Sequence, residues 1–380
     1  MGKAKTRVDT NDPGEVAVSY YGIDLHKDQI TWHAIYRMDD GSTVRANGTV
    51  LTTRILEDFV PMLEKEHSYV IVEASSSGFF FHGLVSGHCT KAYVVNPSAF
   101  RELFMTGKKT DKIDAKKLAD RLIYHVEMKD LDDGFPEVFV PDEEALQVRR
   151  LVTTYELLVK QGTQLKNQLK AIFKAKIVFG YDDILDEGIG CALEDSRMDR
   201  ADKAIIRSIK VLHDSLIEEK EAIKREILAI GVRRFRHEIE LLTGISGVSI
   251  MGAIVFMSDV VTINRFDSAK KLTSYLASVG KVDASGGNVR NGGLNKRGRR
   301  TSYRFILQGL EHIVRGNESF LRFKDRHAQK RSNKVRAAIV RKTFVAMYYM
   351  LRNDSQYKYF NERIYKRKRK ELERILEKAA

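Results

Sequence analysis

Four carboxylates and one serine carry the chemistry that this sequence could perform. Asp24 closes an apolar strand-like run, Glu73 closes YVIVE, and Asp111 and Asp114 stand three apart in TDKIDA. A core strand gains nothing from a carboxylate, whereas the carboxyl ends of strands are where α/β proteins place ligand sites. The spacing of Asp111 and Asp114 puts both on one face if their segment is helical. Four carboxylates at one point repel unless divalent cations neutralise them, and hard oxygen ligands suit Mg²⁺ or Mn²⁺. Two such ions about 3.5–4 Å apart can activate a nucleophile and stabilise a leaving oxygen in phosphoryl transfer. Taken singly, each acid also has a plainer reading. Asp24 can be a strand-end turn former, Glu73 a solvated rim charge, and Asp111 a partner for a helix dipole.

The serine lies in DASGGNVRNGGLNKRGRRTSYR, residues 283–304. From Arg290 onward this stretch holds Arg290, Lys296, Arg297, Arg299, Arg300 and Arg304 with no acid among them. Gly286, Gly287, Gly292, Gly293 and Gly298 let the backbone approach a phosphate closely. Ser285 precedes the paired glycines, and a serine near guanidinium groups can attack phosphorus while the arginines stabilise charge on the phosphoryl oxygens. A flexible loop that touches nucleic-acid backbone, with Ser285 as a turn residue, fits the same residues. Ser274, Ser278 and Ser302 are competing hydroxyls. Upstream, LLTGISGVS resembles half of a helix-hairpin-helix, in which a helix start aims backbone amides at phosphates. Ser246 and Ser249 replace its usual proline and second glycine, so a purely structural turn stands beside the nucleic-acid contact as a reading.

The elements that must position these groups follow from periodicity. Val16, Val18 and Tyr20 alternate; QITWHAIYR and TVRANGTV supply two more strands across the turn at Asp39, Asp40 and Gly41. A helix is expected from Thr52 with Ile55, Leu56, Phe59 and Leu63 on its face, then a strand at 69–73, a helix near 79–86 and a strand at 92–95. Helices from Pro97 run past Lys112. The order βββαβαβα predicts a mixed sheet with helices on both faces. After an Asp, Gly and Pro-rich linker near 130–142, Leu151, Tyr155, Leu158, Gly162, Leu165, Leu169 and Ile172 follow a heptad, as do Ile209, Leu212, Leu216, Ile223 and Ile230. Two long helices result, either as a hairpin within the chain or as a dimerising coiled coil.

Composition narrows the function classes. The chain has 380 residues, 65 Lys+Arg against 51 Asp+Glu and a net charge of +14, which suggests a polyanionic partner such as nucleic acid. With 43% hydrophobic residues and five prolines it can bury real cores. Two cysteines, Cys89 and Cys191, make neither a disulfide framework nor a Cys-rich zinc site, and His88, Cys89, His67 and His82 lack ligand spacing. There is no run of about 18 apolar residues and no Walker A motif, so a membrane anchor and an ATP-driven motor are not expected. Trp32, Tyr36 and Phe79, Phe80 and Phe81 are assigned to the core or an interface. The run 366–370 is a basic strip that can grip phosphate or a solvated helix face.

Together, GIDLHK, IVEASSSG, VVNP and KKTDKIDAKKLAD resemble the DEDD transposases of the insertion sequence 110 family, over about residues 16–345. The N-terminal domain of that family is similar to the Holliday-junction resolvase of the RuvC type. The resemblance implies that Asp24, Glu73, Asp111 and Asp114 bind Mg²⁺, with Mn²⁺ as the alternative, while His26 and Lys27 wall the site. It further implies that Ser285, matched with Gly286, Gly293, Lys296, Gly298 and Arg304, becomes covalently attached to DNA; Asn295 departs from the small hydroxyl residue usual before the lysine. The fold it implies is an α/β ribonuclease-H-like (RuvC-like) N-terminal domain, a long helical or coiled-coil middle region and a mostly α C-terminal domain. The corresponding boundaries are 1–15, 16–128, 129–235, 236–345 and a basic tail at 346–380. The implied partners are donor and target DNA, a structured guide RNA that bridges them, and further copies in a homodimer or homotetramer whose acidic and serine sites meet across protomers. No membrane is implied, and the expected location is the prokaryotic cytoplasm at the nucleoid. A junction-resolving nuclease would use the same acids on water, and a non-catalytic nucleic-acid binder would need none of them.

Overall fold

The computed structural model describes residues 15–99, 110–128, 134–178, 185, 187–285, 288–294 and 298–379. Contacts divide the chain into two units, Met1–Val140 and Pro141–Ala380. The strands of the first are β1 (Val16–Leu25), β2 (Gln29–Met38), β3 (Thr43–Leu51), β4 (Ser68–Glu73) and β5 (Lys91–Val95). They form one sheet in the order β3-β2-β1-β4-β5, antiparallel among the first three and parallel from β1 through β4 to β5. The mixed sheet expected from the alternating pattern is therefore present, and its topology is compatible with a ribonuclease-H-like domain.

Side-chain alternation gives the sheet two cores. On one face Tyr21, Ile23, Trp32, Val70 and Val72 pack with Phe59 and with Phe81 of α1 (Ser76–Val85). On the other, Tyr20, Ile35, Ile71 and Val95 pack with Leu118, Ala119 and Leu122 of α2 (Asp111–Glu127). The expected helix from Thr52 is instead a chain of 3₁₀ and π turns. Pro61 has no N–H to continue an α-helical ladder, and the Val60 N–H bonds to the Ile55 carbonyl five residues back. Ile55 and Phe59 are still buried, but Leu56 faces solvent. The helices expected from Pro97 past Lys112 fall in large part on residues 100–109, which lie outside the described residues.

The described part of the second unit is mostly helical. Its helices are α3 (Glu143–Ala175), α4 (Glu187–Glu194), α5 (Arg200–Arg234), α6 (Arg236–Leu242), α7 (Ile250–Val260) and α8 (Ala269–Tyr275). After the antiparallel pair β6 (Gly280–Ser285) and β7 (Asn288–Leu294) come α9 (Thr301–Gln308), α10 (Leu310–Arg315), α11 (Glu318–Arg326), α12 (Ser332–Arg352) and α13 (Glu362–Ala379). The buried, largely aliphatic helix α7 belongs to the larger core with Ile227, Ile239, Ile306, Ile313 and Phe344.

The two heptad helices form an antiparallel hairpin within the chain. Arg233 and Arg234 at the end of α5 pair with Glu144 and Asp142 at the start of α3, while Lys176 past the end of α3 pairs with Asp199 and Asp202 at the start of α5. The seam on α5 differs by one residue from the expected heptad. Leu212 is 56% exposed and His213 is buried in its place, so Ile206, Ile209, His213, Leu216, Lys220, Ile223, Ile227 and Ile230 carry the alternating three- and four-residue spacing.

A close backbone contact locks α2 onto the sheet. A Cβ added at Gly22 would lie 2.1 Å from the Ala115 carbonyl oxygen and 2.4 Å from the Ala119 nitrogen. Neither atom is the end of a flexible side chain. Gly22→Ala is expected to lower the stability of the first unit by about 1–3 kcal/mol or more. Gly83→Ala, where a Cβ meets nothing within 4 Å, should leave stability unchanged or raised. Urea denaturation of both variants checks the contrast.

Candidate active site

The acidic site begins with β1. Tyr21 and Ile23 point into one core, so Gly22 and Asp24 face the α2 side. The parallel register pairs Ile23 with Val72, and one further step sets Asp24 abreast of Glu73. Ile71 packs toward α2, so alternation puts Glu73 on that same face. Just beyond Glu73 the chain turns sharply into α1. Ser75 caps that helix by accepting from the Gly78 N–H at 2.8 Å, and a Cβ at Gly78 would lie 2.2 Å from the Glu73 carbonyl oxygen.

The last two acids open α2. Thr110 caps the helix, and Asp111 and Asp114 lie in its first turn, where negative charge is favoured by the helix dipole. Because Gly22 admits the α2 backbone against β1, the start of α2 stands beside Asp24. Among the described residues, ligand atoms of Asp24, His26 and Asp111 lie within 4.8 Å of one another. The His26 Nε2 is 3.1 Å from an Asp24 carboxylate oxygen and 3.2 Å from one of Asp111. Asp114 is outside this triad and lies 3.9 Å from the Lys117 ammonium. Glu73 is also outside it, at the end of the neighbouring strand β4.

Electrostatics marks Asp24 as the strained member. Its half-burial pushes its carboxyl above the ordinary range, and the charges of Asp111 and Asp114 push it the same way against the opposing effect of His26. Carboxylate oxygens gathered around a point with an imidazole nitrogen between them are a donor set that fits a divalent cation. His26 was expected only to wall the site, yet it stands between two of the acids. Its signal in the sequence is its position two residues beyond the strand-end acid, on the turn that leaves β1.

The serine region is a hairpin over much of its length, where a loop was one expected form. Ser285 is the last residue of β6 and pairs with Asn288, the first of β7, so Gly286 and Gly287 alone separate the paired positions in sequence. Arg290 lies in β7 opposite Asp283, while Lys296 and Arg297 fall outside the described residues.

The base of this hairpin is tied down. A Cβ at Gly298 would lie 2.7 Å from the Tyr275 carbonyl oxygen, to which the Arg299 N–H donates at 2.9 Å. The Arg299 guanidinium donates to Asp259, which is 1% exposed at the end of α7. Asp259 also accepts from the Ser302 hydroxyl at 2.6 Å, and the Ser278 hydroxyl donates to the Thr273 carbonyl. These two buried serines thus have structural partners, whereas Ser274 is exposed. Arg300 precedes α9, and Arg304 makes a two-pronged pair with Glu156 of α3 at 2.6 and 2.5 Å.

Adding Mg²⁺ or Mn²⁺ at about a hundredfold excess over Kd should stabilise the protein by about 2.7 kcal/mol. Asp24→Asn should remove that gain and His26→Ala should reduce it, as read by thermal unfolding with and without EDTA. In the second unit, Asp259→Ala leaves Arg299 and Ser302 without their buried acceptor. It should cost about 3–5 kcal/mol in denaturant titration.

Two family models match the chain. The first, described as Transposase and covering the DEDD transposases of IS110, matches residues 21–177. The second, Transposase IS116/IS110/IS902 family, matches residues 239–325. No curated protein matches.

Proposed function

The chain belongs to the IS110 family of transposases, and from that premise we propose that it recombines DNA through a divalent-metal site at Asp24, Glu73, Asp111 and Asp114 and a nucleophile at Ser285. It is a DNA transposase, an enzyme of phosphoryl transfer. The observation that carries the finer reading is the meeting of the Asp24 and Asp111 carboxylates at one point within the region matched by the first transposase model.

Asp24 and Asp111 would hold the cation, with Glu73 and Asp114 beside them and His26 as a further donor. When bound, such a cation offsets the negative charge that builds on a phosphodiester under attack. The Ser285 hydroxyl oxygen forms a bond to phosphorus, one ester P–O bond breaks, and the serine proton ends on the leaving oxygen. Attack on the phosphoserine by the hydroxyl of another strand reverses these changes and releases Ser285. One ester bond is exchanged for another at each step, so no ATP is required. Arg290, Lys296, Arg297 and Arg300 follow the serine in the basic stretch, and they supply charge to bind the substrate backbone. Arg299 and Arg304 belong to the same basic stretch and also brace it through Asp259 and Glu156.

A structured guide RNA and a homodimer or homotetramer complete the reading. The positive balance of +14 supports a second polyanion beside DNA. The helical hairpin supports self-association, because Val211 and Leu212 on α5 are 69% and 56% exposed. Among the described residues no helix is long and apolar enough to cross a membrane.

Ser285→Ala should abolish protein–DNA adducts on denaturing gels while DNA binding persists. Asp24→Ala should abolish strand exchange. Adducts that survive the loss of Ser285 remove it from the mechanism. Hydrolysed ends without any adduct would instead assign the acids to a water-using nuclease.

A further inference from the structure

An open cavity of about 370 Å³ lies in the second unit, between the turn at 243–248, the start of α7, the end of α10 and the first turns of α13. The turn is fixed by backbone contact. Gly247 has φ of +88°, and a Cβ there would lie 2.5 Å from the Gly309 carbonyl oxygen. No acid lines the cavity, while His312, Arg315, Arg367 and Lys368 do.

Ser246 supplies the first pointer to a ligand. It is 4% exposed, lines the cavity, and its hydroxyl has no hydrogen-bond partner among the described residues. Native proteins leave few buried hydroxyls so. The second pointer is charge. Lys368 is buried behind the turn, where its ammonium donates to the carbonyls of Thr243, Ile245 and Val248 at 2.8, 3.0 and 2.8 Å. It has no ion-pair partner among the described residues, and burial, helped by the Arg367 charge, pushes it down to about 8. Arg315 and Arg367 are exposed at the rim, and neither forms an ion pair among the described residues. Third, the 11-residue helix α7 opens on the cavity, with Ser249 as its cap accepting from the Gly252 N–H. The positive end of its dipole therefore adds to the same field.

We propose that this cavity binds a phosphodiester group of a polynucleotide backbone, with Ser246 on its floor and Arg315 and Arg367 at its rim. A polymer fits better than a free phosphate because the basic surface runs on along α13. Arg363 and Lys370 are exposed there and, among the described residues, form no ion pair. One phosphate would leave those cations unused, whereas a strand carries further phosphates past them. The site rests on the chain acting on nucleic acid, but neither on the acidic centre nor on Ser285.

The test is fluorescence anisotropy of the full chain in EDTA with a labelled DNA duplex and a labelled RNA hairpin, across a range of NaCl concentrations. The double variant Arg315→Gln, Arg367→Gln should flatten the dependence of log K on log salt by about 1. Ser246→Ala should weaken binding by about tenfold with the slope unchanged. Arg315→Lys, Arg367→Lys should restore the slope, which separates lost charge from lost folding. An effect on one polymer alone supports the proposal and identifies the strand. Wild-type slope and affinity in the Gln variant on both polymers overturn it. So does unchanged polymer binding in a Gln variant that has lost thermal stabilisation by inorganic phosphate, because the cavity then serves a free oxyanion. A wild-type chain that binds neither polymer overturns the nucleic-acid reading itself, while missing adducts alone leave this assay untouched.

Discussion

Carboxylates repel one another and resist leaving water, so a fold that gathers them must hold them by something other than their own attraction. In the first unit that hold is the seating of α2 on β1 at Gly22. The helix backbone rests where any side chain would block it, and its first turn is thereby fixed beside the strand end. Leu118, Ala119 and Leu122 bury the apolar face of α2 against Tyr20, Ile35 and Ile71, which supplies the attraction that the acids lack. Burial, and to a smaller degree the charges of Asp111 and Asp114, still push the Asp24 carboxyl above the ordinary range. Packing alone therefore assembles the acidic cluster.

The second unit meets a similar difficulty at Asp259, and resolves it differently. This buried carboxylate has Arg299 and Ser302 as partners, while Arg149 and Arg265 donate to carbonyls of the same helix end. Cationic groups thus gather where the α7 dipole is negative. The arrangement fixes the point at which the serine hairpin rejoins the helical core.

The alternation of β1 and the apolar run of β4 were legible because they depend on residues close in sequence. The heptads, whose members stand three and four residues apart, likewise show most of the faces on which α3 and α5 meet. What escaped depends on partners distant in sequence or on residue types with two characters. Gly22 reads as a strand glycine until the carbonyl of Ala115 is beside it. His213 reads as polar, yet it fills a seam position that Leu212 leaves. Arg299 reads as one more cation in a basic run, although a carboxylate forty residues earlier holds it. The turns at 52–62 kept the apolar face of a helix but not its ladder, because Pro61 interrupts the donors while Ile55 and Phe59 still reach the core.

The antiparallel pair of α3 and α5 links two separate apolar clusters. Ala145, Val148 and Val152 belong to the larger core with Ile227 and Val232, whereas Leu169 and Phe173 belong to a smaller one with Ile206 and Ile209. Between Val152 and Leu169 lie about 25 Å of helix, at ~1.5 Å per residue. The pair is therefore a ruler. Its length sets the span between the two clusters, and a change in one arm alone would shift the seam out of phase. A change of length therefore needs matched steps in both arms.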